Sequence, residues 1–92
     1  MALTVLFAVY GGLRNGGQDN TEAAIVTSAL QTAIDNSPNG NGVVKINHVS
    51  LGVDDPAPHV QKHFGALIDF GEGANPQLRP FACLEGQTID FT

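Results

Sequence analysis

The residues best suited to chemistry lie in Asp54-Asp55-Pro56-Ala57-Pro58-His59, with His63 four positions further on. Adjacent carboxylates near imidazoles are the donor types that zinc or manganese takes. The spacing argues against a metal, because it matches no metal motif and no calcium loop of alternating acids occurs. His59 and His63 would share a side only on a helix, and the sequence around them reads as the entry to a strand. The simpler expectation is an acidic, rigid turn in which Asp54 or Asp55 caps the backbone through its side chain.

Nucleophilic chemistry has less to build on. Cys83 lies inside Pro80-Phe81-Ala82-Cys83-Leu84, where a buried, inert thiol is expected. No serine sits in a G-x-S-x-G elbow, and no positioned Ser-His-Asp set is evident. Glu72 and Glu85 fall in separate loops, with nothing to pair them across a sugar ring. Gly11-Gly12 and Gly16-Gly17 lack the lysine and spacing of a phosphate loop. The expectation is therefore a protein without catalytic residues, metal or cofactor.

A neutral polar ligand fits these residues better. Carbohydrate hydroxyls are held by carboxylate, amide and backbone groups, with a ring under the apolar sugar face. Tyr10, the sole tyrosine, ends an apolar run that opens into the Arg14-Asn15-Gly16 loop. Asp54, Asp55 and His59 form a second loop of suitable chemistry. Tyr10, Asn15, Asp54, Asp55 and His59 are the expected sugar-binding residues, provided that the two loops meet. The competing expectation is a half-buried core tyrosine between solvated loops.

The elements that would position them can be read from periodicity. Residues 3–10 are apolar on both alternating faces, which predicts a central strand covered on both sides and ended by Gly11-Gly12. Asp19 and Glu22 have the spacing of a capping box, and Val26, Ala29, Leu30, Ala33 and Ile34 then form one helical stripe. Asn36-Ser37-Pro38-Asn39-Gly40 stops that helix. Strand-like runs follow at 43–51, about 60–70, 79–84 and 87–91, with a hairpin loop at 72–76 and a tight turn at Glu85-Gly86-Gln87. The order β-α-β-β-β-β predicts one α+β domain over residues 1–92: a mainly antiparallel sheet of about five strands with one helix on one face. The other face then lacks cover within the chain, which argues for a homodimer in which two sheets meet or exchange strands.

Ninety-two residues leave room for one core, and such a small core gains from self-association. Net charge is −5, and the four basic residues, Arg14, Lys45, Lys62 and Arg79, are scattered. No basic stripe could follow a phosphate backbone, so nucleic acid is not an expected partner, nor is an anionic membrane surface. One cysteine permits no intramolecular disulfide and no four-cysteine zinc site. The N-terminal apolar run has no basic flank and is too short to span a bilayer. A cytoplasmic protein without membrane insertion is expected.

Tyr10-Gly11, Val26-Thr27 with Leu30, Leu51-Gly52 with Asp55-Pro56, Lys62 and Glu85-Gly86 together resemble the small C-terminal domain of DnaJ-like subfamily C proteins and of short stand-alone fungal and bacterial chains. The resemblance runs nearly the full length on short motifs. Ile25 stands where that pattern has an Asp before Val26-Thr27, and no J-domain is present, so no chaperone role is implied. It implies instead a protein-interaction or assembly domain. In size, acidity and loop chemistry the chain also looks like the small cytosolic lectins of mushroom fruiting bodies, in particular the dimeric kind that binds α-galactosyl sugars. That likeness rests on no motif. It implies a homodimeric lectin that recognises terminal galactose, α-linked, on galactosyl glycans.

Overall fold

The computed structural model describes residues 3–13, 21–71 and 74–91. It is an α+β fold with strands β1 (Thr4–Leu13), β2 (Thr21–Ile25), β3 (Val43–Lys45), β4 (His63–Asp69), β5 (Leu78–Leu84) and β6 (Thr88–Asp90). Helix α1 (Thr27–Asp35) follows β2, and a single-turn helix α2 (His48–Leu51) follows β3. Four strands form an antiparallel sheet in the order β2-β1-β4-β5, while β3 and β6 pair separately.

Alternation decides which side of the large sheet is the core. Val5, Ala8 and Tyr10 on β1 and Phe64, Ala66 and Ile68 on β4 point inward and are buried. Val26 at the N-cap of α1, with Leu30 and Ile34 within it, closes over them at helical spacing. Val44, Ile46, Leu51 and Phe91 fill the remaining side, and Phe81 meets Phe91 edge-on at 4.9 Å between ring centroids. Complete burial of Leu30 makes it the kind of side chain whose loss costs about 2–5 kcal/mol.

Three expectations change here. The helix begins at Thr27, and Glu22 lies in β2 opposite Gly12, so it completes no capping box; Asp19 is outside the described residues. The apolar stripe was legible, but the residues before it pair with β1 instead of coiling. The run 43–51 divides because the Asn47 side chain caps α2 by accepting from the Ser50 amide at 2.7 Å. Finally, β1 is central in the sheet but covered on one side only. Leu6 and Phe7 are 46% and 47% exposed.

A register shift between Val5 and Phe7 bends β1 where β2 has already ended. Side chains of α1 complete that edge. Gln31 Oε1 accepts from the Val5 amide at 2.8 Å, and Thr27 Oγ1 accepts from the Ala8 amide at 3.1 Å. The Ala8 carbonyl in turn accepts from the Val26 amide at 2.8 Å. The strand continues past Gly11-Gly12 to Leu13, and Gly11 has a φ of 155°. A Cβ there would press into Ala23 Cα and the Glu22 carbonyl. Gly11→Ala should therefore destabilise the fold by about 3 kcal/mol. Gly65→Ala, whose Cβ would rest 3.8 Å from Val9 Cγ1, should stay within about 1 kcal/mol of the parent. Urea denaturation followed by circular dichroism compares the two; equal losses would contradict the backbone account.

Candidate functional site

Tyr10 runs inward from the middle of β1 and is completely buried. Its hydroxyl donates to Glu85 Oε2, in the turn between β5 and β6. Glu85 Oε1 lies 3.3 Å from Lys62 Nζ, and Asp55 Oδ1 lies 3.2 Å from the same ammonium. Lys62 is only 4% exposed, and its ammonium also donates to the carbonyl oxygens of Ala57 and Val60 at 3.1 Å each. One buried cation thus gathers β1, the segment before β4, the β5–β6 turn and the acidic loop. Its three N–H donors are shared among four oxygens, which compensates for taking the charge out of water.

The loop is shaped for this contact. Asp55 Oδ1 accepts from the Ala57 amide at 3.0 Å, the turn-capping role expected of an aspartate in front of proline. The Lys62 carbonyl accepts from the Glu85 amide at 3.0 Å, so the backbone reinforces what the side chains hold. His59 occupies a left-handed conformation with φ 65°, at the corner where the chain turns back towards β4.

Each ionisable member is shifted in the direction this arrangement dictates. Burial, then the hydrogen bond to Glu85 and the negative charges of Glu85 and Asp55, push the Tyr10 phenol far above its ordinary value, against a smaller opposing effect of the His48 backbone. The Ala57 amide chiefly lowers the Asp55 carboxyl; burial opposes this, and Lys62 assists. For Lys62, burial favours the neutral amine, but Asp55 and Glu85 together outweigh it and raise the pKa. Burial likewise raises the Cys83 thiol, which leaves little thiolate for chemistry.

The expected sugar-binding residues therefore separate. Tyr10 does stand across from the acidic loop, joined to Asp55 through Glu85 and Lys62, but its ring is sealed in the core and offers no face to a ligand. This corrects the expectation that it stacks on a sugar. Asp55 is 28% exposed at its side chain and committed to Lys62 and Ala57. Asp54 and His59 are exposed on the same loop, and Asn15 lies outside the described residues. Sequence reasoning gave Lys62 and Glu85 no role. The available signal was a lysine directly before an alternating apolar strand, where a charge needs partners.

Above this network a groove of about 460 Å³ opens on the outer side of the sheet. Gly11, Gly12 and Gly65 leave its floor bare, Val9 and Leu13 give it apolar surface, and the exposed Gln61 and His63 supply polar groups. A Cβ on Gly12 would sit 2.9 Å from the Gln61 carbonyl oxygen and from Val60 Cγ1, so glycine is what lets the Val60-Gln61 segment, which leads out of the acidic loop, lie against the end of β1. Of the two loops picked out by their chemistry, Arg14-Asn15-Gly16 lies outside the described residues, and the chain leaving the acidic loop reaches the groove at Gln61. Among the described residues no three His, Cys, Asp or Glu side chains are grouped to hold a metal, and no helix is long and apolar enough to cross a membrane.

No family model, no characterised protein and no solved structure matches the chain.

The network has a pH signature. Tyr10 and Lys62 both have raised pKa values, so their stabilisation is complete below about pH 10 and is lost as pH rises through the folded values. Asp55, with a lowered pKa, contributes above about pH 4 and loses its effect as pH falls through its folded value. Tyr10 is the only tyrosine, so tyrosinate absorbance reports it alone. It should stay silent as pH rises beyond 10 and appear only together with unfolding; ionisation in the folded protein would contradict the burial. Lys62→Met, which leaves Asp55 and Glu85 facing each other without a cation, should cost about 3 kcal/mol in a urea titration at neutral pH.

Proposed function

We propose that the chain is a carbohydrate-binding protein that recognises terminal galactose on glycans, does no chemistry on it, and works as a homodimer in the cytoplasm. The observation that carries this is the open groove that Gly11, Gly12, Gly65, Gln61 and His63 line. Bare glycine backbone lets a flat ring approach closely, Leu13 offers an apolar surface, and Gln61 and His63 provide donors and acceptors for hydroxyls. Tyr10 and Asp55 enter as positioning residues, because the chain from Tyr10 to Asp55 holds the loop against β1. The preference for an α-linked terminal galactose comes with the likeness to the small fruiting-body lectins.

A second reading, a protein-interaction or assembly domain of the DnaJ-like kind, is favoured by the uncovered outer face, where Ile25 is 72% and Leu78 52% exposed. The two readings use different residues and separate by mutation. On a glycan array at physiological pH the protein should retain terminal α-galactosides. Gln61→Ala and His63→Ala should each weaken that binding about tenfold, the loss of one or two hydrogen bonds. Ile25→Asp should leave the affinity for a soluble monovalent galactoside unchanged while abolishing any contact made through the sheet face. Absence of binding to every α- and β-galactoside would sink the sugar reading.

A further inference from the structure

The register of the large sheet places Phe7, Leu67 and Pro80 side by side in one row of its outer face, and Val9, Gly65 and Ala82 in the next row. The first row is bulky; the second starts on β2 at the exposed Ile25, opposite Val9, and has a hollow over β4 at Gly65. Helix α1 packs on the opposite face, so within the described residues nothing lies over either row. We infer, building on the homodimer part of the proposed function and independently of its sugar, that a second copy of this chain covers this face. The two sheets meet about a two-fold axis running between the rows, so that Leu67 of each copy sits over Gly65 of the other.

Relief, charge and area all point to a second copy as the occupant. An isologous contact needs a surface complementary to itself, and a ridge beside an equal hollow meets that condition when the axis lies between them. Two copies of a chain with net charge −5 repel one another unless they meet where charge is missing. Among the described residues, Asp35, Asp54, Asp55, Glu85 and Asp90 lie outside the four strands, and Glu22, on β2 opposite Gly12, alternates with the outward Ala23 and so shares the inward parity of Ala24 and Tyr10. Asp69 at its border is occupied within the β4–β5 hairpin, accepting from the Gly71 and Gln77 amides at 2.7 and 3.0 Å. Four strands of five to ten residues give a face on the order of 450 Å² in projection, from ~3.3 Å per residue and ~4.8 Å between strands. Side-chain relief brings the accessible area towards the roughly 800 Å² per partner of a standard specific interface.

This packing closes the inner end of the groove at Val9 and Gly65 and leaves its Gln61 and His63 end open. The two-fold axis then sends the two open ends to opposite ends of the dimer, which makes it divalent.

Sedimentation equilibrium of the full chain tests the inference without any glycan. The parent should be a dimer at about 100 µM, a concentration above the dissociation constant of a specific interface of this size. Phe7→Asp, which would bury a charge at the contact, should raise that constant about a hundredfold. Gly65→Leu fills the hollow without adding charge, on an open face where the nearest atoms to its Cβ lie at 3.8 and 3.9 Å. It should stay folded by circular dichroism and also become monomeric. A monomeric parent, or dimers in both variants, would overturn the proposal. A dimer that binds no galactoside would instead remove the sugar reading and leave this one standing.

Discussion

The structure depends on one buried ammonium. Lys62 sits where four separate pieces of chain converge, and each of them supplies it with an oxygen or with a partner of an oxygen. Deprived of that charge, Asp55 and Glu85 would repel each other, and the acidic loop would have no reason to lie against β1. A buried ion pair is a poor source of stability, because desolvation consumes most of what attraction returns. What it provides here is an arrangement in which Lys62, Tyr10, Glu85 and Asp55 are all satisfied together. Among the described residues no buried side-chain nitrogen or oxygen lacks a partner, which is the condition under which such a network specifies a fold.

The sequence revealed the parts whose physics is local. The stripe from Val26 to Ile34, the alternation from His63 to Phe70 and the stop at Asn36–Gly40 each depend on neighbours within a few residues, and each was legible. The residues that misled were those whose state is set at a distance. Thr21–Ile25 carries helix-compatible residues and a capping-box spacing, yet it is a strand because β1 offers it a ladder. Tyr10 ends an apolar strand in front of a polar loop, which fits a ligand-facing ring equally well. Its place in the β1 alternation turns it inward, and Glu85, seventy-five residues later, supplies the partner its buried hydroxyl needs. The acidic turn itself was identified correctly as a turn, and its reason for existing was the invisible partner Lys62.

The candidate site reverses the usual division of labour between side chain and backbone. Its floor is made by glycines, and the residues chosen for their chemistry lie mostly beneath or beside it. On the proposed reading, recognition on such a floor depends on how closely a ligand can approach peptide groups, and Lys62, between the groove residues Gln61 and His63, anchors the segment that carries their side chains.

The way α1 finishes the edge of β1 has a consequence of another kind. Where β2 ends, the middle strand of the sheet would present free amides to any passing extended chain, and Thr27 and Gln31 occupy those amides instead. A central strand is thereby protected by two side chains from a nine-residue helix, not by a further strand. Fraying of that one helix would expose a templating edge in the heart of the sheet, so the helix guards the protein against polymerisation as much as it covers the core.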